Sequence, residues 1–331
     1  MATELSTIGK NQALVAIFEG TGFRNEYPST FEVNSEVSHI QKLFIENIDF
    51  DLTYTPLRHL GYKLSQNVIG EIAAKGGDTT SLSFAVAISN RFGFEDIKEL
   101  WEGVTAAAKE YSVRHLGLDL LPSATGMLIS ISGCGTHEKG EIEKKQVASN
   151  DLILITGDLG AAYMGLHVLE REKIAFNSAA AGAQARQPDL TSYKYILEQY
   201  LSPHIPVNLN SRFNEAGVIP SAGYFITRGL GSTIKELCQE HGVGARIFLE
   251  KIPIATKTFE MAQELNIDPV TSAINGGDDY RFLFVVPLSQ HEIYRKDFQD
   301  FEMIGFITGA EKGSVIVTPE GAELEIKAQG F

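Results

Sequence analysis

Apolar residues recur at helical spacing over 56–74, where Leu57, Leu60, Leu64, Val68 and Ile72 fall on one face. The Gly76-Gly77 pair predicts the stop. The same spacing returns over 94–111, through Ile97, Leu100, Trp101, Val104 and Ala108. Glu95 and Asp96 stand in its first turn, where the helix dipole favours acids. Apolar runs or alternations predict strands at 43–50, 81–89, 126–133, 152–156 and 282–286. Further helices are predicted from Asp158 through Glu170, over 193–200, over 233–241 with Gly242 as the stop, and within 253–265. Segments 11–35 and 179–188 read as turns and loop, and the last thirty residues as short strands and turns. Strands and helices alternate without a strict βαβ order. This predicts an α/β (α+β) chain with mixed sheets in two domains. A polar Lys- and Glu-rich stretch at 137–150 marks the boundary, giving domains 1–148 and 149–331.

Composition narrows the picture only a little. The chain has 331 residues, 44% of them hydrophobic, enough for a large core and for two domains. Its net charge of -14 opposes non-specific nucleic-acid binding, which needs a basic surface. No apolar run reaches membrane-spanning length and no basic-then-apolar leader opens the chain, so a cytoplasmic location is expected. Cys134 and Cys238 form no C-x-x-C motif and read as small buried hydrophobes. The histidines show no metal-site spacing, and no nucleophile elbow or Walker A loop is present.

Two turns carry candidate chemistry. Thr156-Gly157-Asp158-Leu159-Gly160-Ala161-Ala162 joins a predicted strand to a predicted helix. Free N–H groups at such a helix start can bind an anion, while small residues there also serve tight strand–helix packing. Asn275-Gly276-Gly277-Asp278-Asp279-Tyr280 precedes an apolar strand. Its glycines and carboxylates can orient a ligand, or simply form a turn with solvated acids.

Taken together, these pieces resemble the thiamine-monophosphate kinase family of the aminoimidazole-ribonucleotide-synthetase superfamily. The resemblance includes Glu4-Leu5-Ser6-Thr7-Ile8-Gly9, Phe50-Asp51-Leu52-Thr53-Tyr54-Thr55-Pro56-Leu57 and Ser89-Asn90-Arg91-Phe92. It continues through Thr156 to Leu166, Pro188-Asp189-Leu190 and Gly276 to Tyr280. It implies a homodimer whose N-terminal domains form a shared barrel, with α/β C-terminal domains outside. It also implies Mg-ATP and thiamine phosphate as ligands and direct transfer of the γ-phosphoryl group.

That chemistry rests on metal-held phosphate oxygens, and the family supplies the metal with clustered aspartates. Matched by eye, most are replaced here. The first family segment, Gly-Asp-Asp-Ala-Ala, falls on Val33-Asn34-Ser35-Glu36-Val37 and keeps neither aspartate. Lys42 takes the place of a second-segment aspartate, and Asp49 that of its histidine. Glu71 keeps a carboxylate in the third segment, and Asp119 in the fourth, on Gly117-Leu118-Asp119-Leu120-Leu121. Asp-Ile-Ser-Asp-Gly-Leu becomes Phe225-Ile226-Thr227-Arg228-Gly229-Leu230. Gly76-Gly77-Asp78-Thr79-Thr80 spells the fourth segment about forty residues early, and we read it as a turn. The chain ends on Gln329-Gly330-Phe331, a reduced form of the family's aromatic tail, so the thiamine-side pocket is expected to differ.

Mg²⁺ needs hard anionic oxygens, which neither an ammonium group nor a phenyl ring supplies. Glu71, Asp119, Lys42 and Arg228 are therefore expected to form a vestigial metal or phosphate site, with Lys42 and Arg228 neutralising the two carboxylates. Two other readings stay open: the cations face solvent, or they bind an anion directly. Gly157, Asp158, Gly276, Gly277, Asp278, Asp279 and Tyr280 are the ligand-binding candidates. No metal is assigned, and Mg with ATP is expected only if the family activity is retained. A homodimer binding a small phosphorylated ligand or a protein partner, without catalysis, fits the replacements. An active kinase on thiamine phosphate, or a kinase- or ligase-like enzyme on another phosphorylated small molecule, is the alternative.

Overall fold

The computed structural model of the protein describes residues 10–25, 37–137, 146–180 and 190–327. Segments 4–9, 33–36, 188–189 and 329–331, which carry part of the resemblance, lie outside them. The chain divides into two units, Met1–Gly140 and Glu141–Phe331.

The first unit contains α1 (Lys10–Phe18), β1 (Val37–Ile45), α2 (Leu57–Ala74), β2 (Asp78–Ile88), α3 (Phe94–Glu110), β3 (His115–Pro122) and β4 (Met127–Thr136). Its sheet runs β1-β4-β2-β3, with β2 and β3 parallel and the other pairs antiparallel. Leu60, Leu64, Val68 and Ile72 of α2 and Ile97, Leu100, Trp101 and Val104 of α3 are buried. So are Leu82, Phe84, Ile129, Ile131, Leu116 and Leu118 of the strands. The period-2 and period-3.6 patterns thus meet in one core. Phe18 and Phe84 both pack on the Trp101 ring, with centroids 5.0 and 5.5 Å away. α2 and α3 touch through glycine. A Cβ on Gly61 would stand 2.1 Å from the Leu100 carbonyl oxygen, and one on Gly103 1.9 Å from that of Arg58.

The opposite sheet face alternates out of this core. It presents His39, Gln41 and Leu43 of β1, Ser130, Ser132 and Cys134 of β4, Ser83 and Ala85 of β2, and Asp119 of β3, matched row by row in the strand register.

The strand expected at 43–50 begins earlier and stops at Ile45. Asn47 takes a left-handed φ of 65°, and the Asp49 carboxylate accepts the Ile45 N–H at 2.7 Å, so 46–50 closes as a turn.

The second unit contains β5 (Leu152–Thr156), α4 (Ala161–Ala180), α5 (Lys194–Leu201), α6 (Leu209–Ala216), β6 (Ala222–Ile226) and α7 (Leu230–His241). It continues with β7 (Val243–Phe248), α8 (Thr256–Leu265), α9 (Pro269–Asn275), β8 (Arg281–Val286), α10 (His291–Asp297), β9 (Phe301–Gly309), β10 (Ser314–Val317) and β11 (Glu323–Glu325). The sheet order is β11-β10-β7-β9-β5-β8-β6, with β7 and β10 parallel and its other neighbours antiparallel. Ile153, Ile155, Ile226, Leu283 and Val285 of the sheet pack with Leu230, Ile234 and Leu237 of α7. The helix expected from Asp158 starts at Ala161 and runs on to Ala180. Gly157 and Gly160 hold left-handed φ values of 61° and 82°, which delays the first helical turn.

Among the described residues no helix is long and apolar enough to cross a membrane.

Candidate functional site

Lys42 lies on β1 opposite the buried Ile131, so its side chain rises on the helix-covered face of the first sheet. There its Nζ meets Glu71 Oε1 of α2 at 2.7 Å. The pair is partly sheltered, with Lys42 about one-third and Glu71 about one-fifth exposed at the side chain (32% and 19%).

The expected grouping of Lys42, Arg228, Glu71 and Asp119 is corrected for Asp119. Asp119 belongs to β3, at the far edge of the sheet from β1, and stands on the opposite face from Lys42. It borders a cavity of about 510 Å³ with Ser83, Ala85, Ser130 and Ser132. Arg228 belongs to the second unit, is exposed, and pairs with Glu236 of α7 at 3.6 Å. For Asp119 the physical reason is the side-chain period of two in a strand, which puts it and Lys42 on opposite faces of the sheet.

Next to Lys42, Glu46 is buried. Its Oε2 accepts the Met127 N–H at 2.7 Å, and its Oε1 pairs with Arg91. This fixes the 46–50 turn against the start of β4, and neither residue was singled out from the sequence. The Gly76–Thr80 segment lies where α2 ends and β2 starts. Gly76 closes the helix with φ +84°, and the Thr80 hydroxyl donates to the Cys134 carbonyl at 3.0 Å.

The ligand-binding candidates of the second unit do come together. β8 runs antiparallel to both β5 and β6, so the end of β5, the end of β6 and the approach to β8 share one edge of the sheet. Asp279 Oδ1 accepts the Gly160 N–H at 2.7 Å, and the Arg281 guanidinium donates to the Asp158 carbonyl at 3.2 Å. On the other side, Asp278 N–H and Tyr280 N–H donate to the carbonyls of Thr227 and Ile226 at 2.8 and 3.0 Å. Gly157, Asp158, Gly276, Gly277, Asp278, Asp279 and Tyr280 thus form one loop cluster, joined by Thr227 and Arg228. Gly157 is exposed, while Asp158, Gly276 and Asp278 are partly exposed. Gly277 and the two aspartates do not form a hairpin turn, because α9 ends at Asn275 immediately before them.

Phe225, at another expected aspartate position, is buried in this cluster. Its ring packs on Tyr280 and Phe282, with centroids 5.3 and 5.0 Å away. Asp279 is also buried, and loss of hydration pushes its carboxyl up to about 8. The Gly160 N–H bond and Arg281 act against that rise, and Asp278 adds to it. The Tyr195 hydroxyl nearby is raised too, by burial first and then by Asp158. Among the described residues no three His, Cys, Asp or Glu side chains converge as metal ligands.

No protein-family model matches the chain. The two mixed sheets and their helices have the aminoimidazole-ribonucleotide-synthetase-like fold. A thiamine-monophosphate kinase (ThiL) structure, complexed with AMPPCP and TMP, superposes with a TM-score of 0.74 at 20% identity, over 99% of this chain and 98% of that one. The hydrogenase maturation protein HypE of E. coli shares the fold, with a TM-score of 0.70 at 13% identity over 96% of this chain and 97% of that one. In sequence the chain is similar to thiamine-monophosphate kinases over most of its length. It is 24% identical to that of Bacillus subtilis over 87% of this chain and 85% of the relative. It is 27% identical to that of Methanopyrus kandleri over 79% and 76%.

Proposed function

We propose that this chain is a non-catalytic homologue of thiamine-monophosphate kinase that binds a small phosphorylated ligand or a protein partner. The ion pair between Lys42 and Glu71 carries the proposal. An ammonium group 2.7 Å from the carboxylate occupies the space a divalent ion would need and satisfies the charge it would satisfy. Phe225 removes a further oxygen donor, replacing it with a ring packed on Tyr280. The residues at the matched positions therefore do not fit Mg²⁺. Loss of even one charge-stabilising group costs on the order of 10²–10³ in rate.

The loop cluster at the end of the second sheet is where we place the ligand. Arg228, exposed beside Gly277 in this cluster, offers a guanidinium to an anion. We also propose a homodimer. Leu43 at 56% and Leu121 at 43% are exposed on the face of the first sheet opposite α2 and α3. A ThiL structure holds AMPPCP and TMP; a non-hydrolysable nucleotide is therefore the first ligand to offer.

The deciding experiment mixes purified protein with Mg-ATP and thiamine phosphate and follows thiamine diphosphate. We expect none above background, and steady turnover would establish the active kinase instead. Calorimetry with ATP, with and without Mg²⁺, then tells a metal-independent ligand site from none.

A further inference from the structure

Arg281 opens β8, and its side chain reaches three other segments of the second unit. Nε donates to the Asp158 carbonyl at 3.2 Å, in the turn between β5 and α4. Nη2 donates to Gln199 Oε1 of α5 at 2.5 Å. Nη1 donates to the carbonyls of His204, beyond α5, and of Tyr280, at 3.5 and 3.4 Å. Four of the five N–H donors of the guanidinium are thus engaged by protein oxygens, all of them uncharged.

The same side chain fills the space over Gly157. A Cβ at that position would stand 2.6 Å from Arg281 Nε and 3.0 Å from its Cδ. Gly157 also holds its left-handed φ of 61°, so both conformation and contact demand glycine there. The far half of the turn has its own ties. Leu159 N–H donates to the Pro253 carbonyl at 2.9 Å, and Gly160 N–H to Asp279 Oδ1 at 2.7 Å. The near half, Gly157 and Asp158, is held by the Arg281 bond and by packing under the guanidinium. Gly157 is exposed and Asp158 partly so, which makes this the half that a ligand of the loop cluster can touch.

We infer that Arg281 is the positioning residue of the loop cluster: its guanidinium fixes Gly157 and Asp158 beside the Gly276–Tyr280 loop, and ligand affinity there depends on the guanidinium's shape and not on its charge alone. The inference rests on the proposed placement of the ligand at this cluster. Its physical basis is the spread of the acceptors. Asp158, Gln199 and His204 belong to separate segments, and a planar fork with donors on several edges can hold all three. The ammonium group of lysine is a single point at the end of a flexible stem and cannot span them. Without the fork, Gly157 regains the wide conformational range of glycine, and a ligand must order the turn as it binds.

Amide exchange on the full chain is the first measurement. In Arg281→Ala we expect the Leu159 and Gly160 amides to exchange at least tenfold faster than in the parent. Guanidinium chloride at tens of millimolar should slow them again, and sodium chloride at the same concentration should not. Arg281→Lys keeps the charge and should behave like Arg281→Ala. Unchanged exchange in Arg281→Ala, or parent-like exchange in Arg281→Lys, overturns the assignment. Calorimetry with AMPPCP in the absence of Mg²⁺ is the second measurement. Affinity should fall at least tenfold in both variants and recover with guanidinium in Arg281→Ala, a recovery that a general loss of stability does not produce. Parent-level affinity in both variants overturns the positioning role even if exchange quickens. If the parent itself takes up no AMPPCP, the ligand placement falls, and exchange alone decides whether Arg281 fixes the turn. Should Arg281→Ala fail to fold, Gln199→Ala removes one acceptor on α5. Leu159 and Gly160 must then exchange faster, and unchanged amides overturn the assignment.

Discussion

Lys42 Nζ stands 2.7 Å from Glu71 Oε1, joining the second position of family resemblance on β1 to the third on α2. If both positions once carried aspartates that shared a cation, exchanging one for lysine builds the cation into the chain. The protein then no longer needs a soluble ion to keep like charges apart.

Removing the ammonium group should make that need reappear. Lys42→Ala leaves Glu71 in a sheltered site without its partner, which we expect to cost about 1–2 kcal/mol. Lys42→Asp should cost more in a metal-free buffer, because it sets two carboxylates side by side. Thermal unfolding with and without millimolar Mg²⁺ checks this. The parent should be indifferent to the ion, and Lys42→Asp should regain part of its lost Tm. A parent stabilised by Mg²⁺ would contradict the built-in cation.

An aspartate at 225 should not be tolerated. Phe225 is 5% exposed, and its ring meets Tyr280 and Phe282. Phe225→Asp both opens a cavity and buries a charge with no oxygen-rich surroundings, a loss of about 3–5 kcal/mol or more. Urea unfolding of the second unit is the measurement. A variant as stable as the parent would mean that the pocket admits water or an ion.

These two positions also show what the sequence could reveal. The helices over 57–74 and 94–110 and the strand over 152–156 were legible because their apolar periods are regular and their ends are marked. β9 fell among the strands and turns expected over the last thirty residues, but its extent was not legible, because a register shift in its pairing with β5 between Ile153 and Leu154 breaks its alternation. β3 alternates through Leu116, Leu118 and Leu120, but the adjacent Leu121 and Pro122 break the period and obscure it. At the site, the glycines and aspartates of 276–279 were visible, and the placement of Lys42 and Asp119 on opposite faces of the first sheet was not. Sheet faces and edges are set by register, which a one-dimensional match does not carry. Asp279 shows the same limit. Its partner is the backbone N–H of Gly160, 119 residues away, and a backbone donor leaves no mark in the sequence.

The contact between α2 and α3 gives a stability test confined to the first unit. Gly61→Ala would bring a methyl group to 2.1 Å from the Leu100 carbonyl oxygen, a backbone atom that cannot step aside without moving the helix. We expect a loss of roughly 2–4 kcal/mol from overpacking and helix displacement. The chain has a single tryptophan, Trp101, which is 1% exposed on α3. Its fluorescence follows this unit directly. An unchanged urea midpoint would show that the helices are farther apart in solution.

The last prediction follows from proton linkage at Asp279. Its carboxyl titrates near 8 in the folded chain and near 3.9 when unfolded. Below about pH 4 both states hold the proton, and the group does not affect stability. Between about pH 4 and 8 the unfolded chain has lost it and the folded chain has not. The folded state binds more protons there, so stability falls as pH rises, by up to about 1.4 kcal/mol per pH unit. Above the folded midpoint both states are ionised, and the deficit levels off at a few kcal/mol. Asp279→Asn has no proton to lose, and its uncharged amide oxygen can still accept the Gly160 N–H. The variant should therefore gain on the parent steadily from pH 5 to pH 8 and hold that lead at pH 9. Denaturant midpoints of both proteins across this range read the difference directly, and parallel curves would place the Asp279 carboxyl in a hydrated, ordinary setting.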